Sequence, residues 1–473
     1  MFRTFIGGLT GLALALAAAP AGAVPAAQAP PAPASLLPSD ADISAILRTR
    51  VATERRAVGV VVGVIDANGR RVVAAGARDA GDPRPLTGDT EFEIGSVTKV
   101  FTSLLLADMV RRGQVALDDP AARYLPPGAT LPVRGGRAIT LIDLATHTSG
   151  LPRLPTNLAP ANPRDPYADY DDAKLYAFLS GYALPRDIGA TYEYSNLGAG
   201  LLGQLLARRA GTSYAALVQA RIARPLGLKD TAIVLSSEQK ARLAVGHDAS
   251  LAPVGYWTLD SLAGAGALHS TANDLLTLVA AELGYVDTPL KGAMADQLLP
   301  RRPAGDKLQV ALGWHVSPKP EGGPAGDIVW HNGATGGFHS FVGFDKARGV
   351  GVVVLVNTAG EVGGDDIAMH LLAGAPLSKP AHQEVPVAAS VLERYVGQYQ
   401  MAPGVVITVT RQDARLFAQL TGQAAAEIFP ESPTDFFWKV VDAQAHFEVA
   451  PNGKVASLTL RQNGHDLVGP RLP

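Results

Sequence analysis

Strand-forming runs stand at both ends of a long central region of this chain, and the stretch between them is helical and loop-rich. Residues 58–66 and 71–78 are β-rich and flank Asn68-Gly69, a strong hairpin signal. Strand character returns only at 328–331, 338–344 and 351–357, followed by a helical pattern at 365–372. Between these ends, 96–112 carries Val97, Val100, Phe101, Leu104 and Leu105 at helical spacing until Gly113 stops it. Residues 140–145, 172–179, 197–210 and 213–223 are the further helical segments of an otherwise Pro- and Gly-bearing stretch. Residues 270–283 follow, with Ser270, Thr271 and Asp274 as capping residues. The pattern predicts one sheet assembled from both ends of the region with helices inserted, not an alternating βαβ repeat.

The flanks differ in character. Residues 1–23 read as a secretory signal peptide: Arg3, an apolar stretch from Phe5 to Ala19, then the small-x-small site Ala21-Gly22-Ala23. Residues 24–38 are Pro/Ala-rich and read as a tether with no packing partner. The expected location is therefore periplasmic or secreted. No other segment reaches about 18 uninterrupted apolar residues, so no stable membrane span is expected after signal removal. An export compartment usually favours disulfides, yet the chain has no cysteine, which removes disulfides, thiolate metal sites and a Cys nucleophile. Lys plus Arg is 41 and Asp plus Glu is 43, a balance that gives no electrostatic footprint for nucleic acid. The main body is placed at 39–373, a second linker at 374–386 and a distinct segment at 387–473. That last segment shows short alternating strands at 405–410, 416–420, 425–429, 436–441, 446–449 and 456–462, with turns at Asn452-Gly453 and Asn463-Gly464. A short leading helix and a small antiparallel barrel or sandwich fit it.

Motifs narrow the chemistry. There is no GxSxG elbow, HExxH or Walker loop. Gly198-Ala199-Gly200-Leu201-Leu202-Gly203 matches GxGxxG, but a polar segment precedes it and no acid stands near residue 220, so small residues for close helix packing explain it better. The segment Phe92-Glu93-Ile94-Gly95-Ser96-Val97-Thr98-Lys99 is more informative. Ser96 and Lys99 sit at i and i+3 where an apolar helix begins, so their side chains share a face. Burial there lowers an amine's pKa and lets it accept the serine proton. A second Ser-x-x-Lys, at Ser237 to Lys240, has no such context and reads as surface. Tyr194-Ser195-Asn196 is the only Tyr-x-Asn, and His331-Asn332-Gly333, ending a strand, is the only Lys/His-x-Gly.

With these motifs in that order, the chain resembles the serine penicillin-recognising enzymes, in the branch of class C β-lactamases, D-alanyl-D-alanine carboxypeptidases and related esterases. The resemblance spans about 40–373 and extends to Leu144-Ala145-Thr146-His147-Thr148-Ser149-Gly150-Leu151-Pro152 and to 264–274. The segment 387–473 resembles a domain often appended to such hydrolases, through Phe436-Phe437-Trp438 and Leu460-Arg461-Gln462-Asn463-Gly464. The resemblance implies an α/β (α+β) β-lactamase/transpeptidase-like fold, an antiparallel sheet flanked by helices with a mostly helical insertion, plus a small all-β lipocalin-like barrel. It implies an exported serine hydrolase with no cofactor and no metal, acting on β-lactams, D-Ala-D-Ala peptides or related amides and esters. Ser96 would be the nucleophile, Lys99 would help deprotonate it, and Tyr194 would pass the proton to the leaving amine and then activate water. Asn196 would bond the substrate amide and Lys99. His331, Asn332, Gly333 and Ala334 would line the substrate site, with the N–H groups of Ser96 and Ala334 as oxyanion hole. Three positions depart from the family pattern: Thr98 replaces Ser or Ala, His331 replaces the lysine usual in class C, and Leu154 stands where a glutamine contacts the acyl side chain. A histidine at 331, partly charged near neutral pH, would hold a carboxylate less firmly than lysine. An esterase of the same family and a penicillin-binding sensor without turnover are the other readings. The oligomeric state is not legible.

Overall fold

The computed structural model describes residues 35–299, 302–305, 307–318, 326–360, 363–379, 382, 384–462 and 465–473. Within them, nine strands form one antiparallel sheet in the order Arg302–Pro303, Gln309–Val310, His315–Ser317, Ile328–Ala334, His339–Asp345, Val350–Val356, Gly59–Asp66, Gly69–Asp79, Asp82–Pro85. The two ends of the region meet where Val60 pairs with Val356 and Ile65 with Gly351. Asn68 and Gly69 make the hairpin between the next two strands, in register from Asp66–Gly69 to Gly59–Gly76.

The period of two along Gly59–Asp66 explains why both faces of this sheet are covered. Val61 and Ile65 enter one core, with the helices Thr98–Arg111 and Ala272–Leu283. Val60, Val62 and Val64 enter the other, with Asp40–Arg48 and Asp365–Ala373. Each such side chain removed from water contributes about 1.5–3 kcal/mol. The helix Ala272–Leu283 lies very close to the sheet: a Cβ on Gly63 would come within 2.8 Å of Leu276 Cδ1, and one on Gly351 within 2.2 Å of Val279 Cγ1. Thr271, not Ser270, caps this helix by accepting the Asp274 N–H, while Ser270 pairs with Phe92 in a two-stranded ribbon. The GxGxxG run lies inside the helix Asn196–Ala210, where a Cβ on Gly200 would come within 2.7 Å of Leu262 and one on Gly203 within 2.9 Å of Gly264. It is a close-packing face, as expected. The helix expected at 213–223 is interrupted: Tyr214–Val218 is α-helical and Gln219–Ala223 is a π-turn.

The described residues of 387–473 form eight sequential antiparallel strands from Gly397–Ala402 to His465–Pro470, with the helix Ala389–Leu392 ahead of them. The Tyr399–Arg471 bridge brings the end of the chain back to the first strand, leaving a nearly closed barrel. Tyr395, Tyr399, Phe436 and Phe447 fill a separate core, with Tyr395 and Phe447 rings 4.3 Å apart. The first and last strands are additions to the sequence reading, and the strand expected at 436–441 is shorter, Asp435–Phe437.

The signal expectation at 1–23 and most of the tether lie outside the described residues. The end of that tether does have packing partners: Leu37 joins the core with Ile43 and Leu47, and Ser35 Oγ donates to Asp66 Oδ2 at 2.5 Å. In the second linker, the Ser378 carbonyl accepts from Arg56 Nη1 at 3.1 Å, and Glu384 pairs with Arg55 at 3.8 Å. Among the described residues, no helix is long and apolar enough to cross a membrane.

One buried acid in this frame sets a pH dependence. Glu282, on Ala272–Leu283, has both carboxyl oxygens buried without a hydrogen-bond partner. Burial pushes its pKa from 4.5 up to about 8, opposed only weakly by Lys346. The folded state therefore holds the proton more tightly than the unfolded chain. Its stabilisation is complete below the unfolded value and is lost as pH rises through about 8. Glu282→Gln should raise the Tm by about 3–6 °C at pH 8 and leave it nearly unchanged at pH 5. Thermal melts of both proteins at the two pH values check this.

Candidate active site

The nucleophile candidate is placed by two backbones pressed together. Gly95–Val97 is a single 3-10 turn that leads into Thr98–Arg111, a helix buried on nearly all sides. Gly95 has φ +47°, and a Cβ there would meet Ala334 N at 2.9 Å. A Cβ on Gly333 would lie 2.2 Å from the Ile94 carbonyl oxygen and 2.9 Å from Ser96 N. Only glycine at both positions lets the strand Ile328–Ala334 run against the turn and bring the Ala334 main chain to Ser96. Ser340 Oγ, donating to the Ile94 carbonyl at 2.7 Å, ties the same turn to the sheet.

Helical spacing then brings Lys99 Nζ to 2.9 Å from Ser96 Oγ and 2.7 Å from the Ala265 carbonyl oxygen, as the i, i+3 reading expects. Lys99 is buried, and burial, aided by the positive charge of Arg153, holds its amine well below the usual lysine range. Lys240 of the second Ser-x-x-Lys is exposed.

Tyr194 reaches the site through a loop-on-loop template. His147, with φ +58°, accepts the Glu193 N–H at its carbonyl (2.8 Å) and the Ser195 N–H at Nδ1 (3.1 Å). Accepting at Nδ1 fixes the neutral imidazole with its proton on Nε2. Ser195 Oγ donates to the Pro152 carbonyl at 2.7 Å and accepts from Gly198 N at 2.8 Å, which starts the next helix. The Tyr194 ring is thereby packed on His147, centroids 4.6 Å apart, with Lys99 Nζ 4.8 Å from its own centroid. Burial raises the phenol pKa, and an interaction with Ser96 partly opposes the rise. A buried neutral amine and a buried neutral phenol thus flank one hydroxyl: a base and an acid for acyl transfer.

His331 lies 6.2 Å from Tyr194 and 5.0 Å from His315, ring to ring. It is buried, and burial first, then His315 and Lys99, push its pKa well below 6.5. The partial charge expected of it is therefore corrected to a neutral imidazole. Two further expectations change. Asn332 points to the opposite face of the strand and donates to Asp365 Oδ2 at 2.5 Å, so it offers the site only main chain. Asn196 bonds Tyr167 rather than Lys99, whose amine is taken up by Ser96 and Ala265. Its Oδ1 is buried without a partner and borders the cleft.

That cleft is lined by Gly95, Ser96, Tyr167, Asn196, Trp257, Ala334 and Thr335. Glu93 spans behind it, accepting the Trp257 N–H at 2.7 Å and the Thr335 hydroxyl at 2.6 Å, and burial pushes it up to about 7. Glu93 and His147 entered the sequence reading only within motifs, without a role, and His315 did not enter it; the hydrogen-bond partners of their side chains lie 48 to 242 positions away along the chain, as with the Tyr192–His315 contact at 3.0 Å. Among the described residues, no cluster of three or more His, Asp or Glu side chains is arranged to hold a metal ion.

Comparison with known proteins agrees with this geometry. Residues 43–375 match the Beta-lactamase family, and 381–471 match a domain of unknown function, DUF3471. The D-alanyl-D-alanine-carboxypeptidase/endopeptidase AmpH of Escherichia coli K12 is 31% identical over 69% of this chain and 88% of its own length. Penicillin-binding protein 4* of Bacillus subtilis is 26% identical over 81% of this chain and 88% of its own. A class C β-lactamase structure from Rhodobacter sphaeroides superposes with TM-score 0.58 at 30% identity, covering 67% of this chain and 94% of that one.

Proposed function

This chain belongs to the Beta-lactamase family of serine hydrolases, and from that premise we propose that it cleaves β-lactam, D-Ala-D-Ala peptide or related amide and ester bonds through an acyl-enzyme on Ser96. The observation that carries the reading is the buried Lys99 Nζ 2.9 Å from Ser96 Oγ, where burial holds the amine well below the usual lysine range. Ser96 Oγ attacks the carbonyl carbon as its proton passes to Lys99 Nζ. The N–H groups of Ser96 and Ala334 take the oxyanion, a contribution of about 10²–10³ in rate per donor. Tyr194 gives its phenolic proton to the leaving nitrogen or oxygen, the C–N or C–O bond breaks, and the phenolate recovers a proton from the Lys99 ammonium. Water then attacks the ester, its proton passes to the Lys99–Tyr194 pair, and Ser96 Oγ leaves with a proton from the same pair. Asn196 Oδ1, buried and unpartnered, is ready to accept a substrate amide N–H.

Within this chemistry His331, standing where class C β-lactamases usually carry lysine, favours a peptidase or esterase over a β-lactamase, histidine there being more like the carboxypeptidase and esterase members. The apolar run at 5–19 and the site at Ala21-Gly22-Ala23 support export. A substrate panel on wild type and Ser96→Ala tests the reading. It should show D-Ala release from a peptide ending in D-Ala-D-Ala, or ester cleavage, faster than opening of a chromogenic cephalosporin, with all three lost in the variant. A permanently acylated Ser96 with no turnover of any of them would make the protein a sensor instead.

A further inference from the structure

The loop that templates Tyr194 ends in a side chain that no step above uses. Arg153 follows Gly150-Leu151-Pro152, and its carbonyl oxygen accepts the N–H groups of Asn196 (3.0 Å) and Leu197 (3.2 Å). Its main chain is thus fixed beside Asn196, which lines the cleft and whose side chain is the one proposed above to take the substrate amide. Its neighbour Leu154 turns inward against the hydrophobic core, while Arg153 is exposed. The guanidinium stands with Cζ 5.1 Å from the centroid of the Tyr194 ring. Its charge is felt through the site: it opposes protonation of Lys99 and His147 and favours ionisation of Tyr167, Tyr192 and Tyr194.

What makes this cation unusual is that no described acid takes it up. Glu193, next to Tyr194, is paired with Arg186 at 2.5 Å. Asp165, beside Tyr167, accepts the Thr258 N–H at 2.8 Å. Lys99, His147, His315 and His331 are all pushed toward the neutral form by burial. Among the described residues the site therefore holds one fixed positive charge, and it stands beside Tyr194 and Asn196. Arginine presents a planar fork of donors suited to a carboxylate.

Resting on the acyl-enzyme reading above, we propose that Arg153 anchors an anionic group on the acyl part of the substrate, making the enzyme selective for negatively charged acyl donors. The matched esters 4-nitrophenyl glutarate and 4-nitrophenyl valerate test it, since they differ chiefly in a carboxylate replacing a methyl group. Wild type should favour the glutarate in kcat/KM by about 10-fold, through KM, with the ratio falling as salt is added. In Arg153→Gln the ratio should drop to about 1, whereas Arg153→Lys should keep most of it. An unchanged ratio in Arg153→Gln, or none in wild type, overturns the proposal, because an effect exerted only through Lys99 or Tyr194 would alter both esters alike. Cleavage of the valerate that disappears in Ser96→Ala keeps the acyl-enzyme reading separate from that outcome.

Discussion

Ser96→Ala should lower kcat/KM for the best ester or peptide substrate by about 10⁴–10⁶, because the members of a nucleophile–base unit do not substitute for one another. The loss should fall on kcat, with substrate binding retained. Ser96 Oγ touches Lys99 but carries none of the core: the turn that holds it is fixed by the Ile94 carbonyl, Gly95 and Gly333. The variant's Tm should accordingly stay within a few degrees of wild type. Steady-state kinetics with a melt of the same preparation check both halves.

Lys99→Met should lower kcat by about 10²–10⁴, the range of a positioned general base. Methionine fills a similar volume, so the buried site does not collapse. The pH profile separates a base from a mere spacer. Burial holds the Lys99 pKa well below 10.5, so the neutral amine is available at neutral pH and is lost as pH falls through that lowered value. Wild-type kcat/KM should therefore drop on the acid side, and Lys99→Met should lack that limb. An acid limb of the same midpoint in the variant would assign it to another group, with Glu93, pushed up to about 7, the first to examine.

The parts of the site legible in the sequence are those that local spacing fixes. Ser96 and Lys99 are one helical turn apart, and Tyr194 precedes a helix start that Ser195 announces as a cap. The rest depends on topology. His147 meets Tyr194 across a loop pair, and Glu93 meets Thr335 across 242 positions, so neither role has a local signature. The structure brings His331 to 6.2 Å from Tyr194, ring to ring, but its charge had no local signature, because that depends on burial by elements far along the chain. The strands of the main sheet were readable from Val-rich alternation and the Asn68-Gly69 turn. The first and last barrel strands were not: Gly397–Ala402 buries Tyr399 alone and His465–Pro470 buries Gly469 alone, leaving no period to see. Conversely, Val440 and Val441 have β propensity but remain 53% and 43% exposed, with no strand beside them to extend the ladder.

Mass spectrometry of the enzyme quenched in acid during steady-state turnover addresses the covalent chemistry itself. The expected spectrum shows the protein heavier by one acyl group, mapped to Ser96, and no such species in Ser96→Ala. An acyl group on another residue, or rapid product formation with Ser96 never modified, would contradict it.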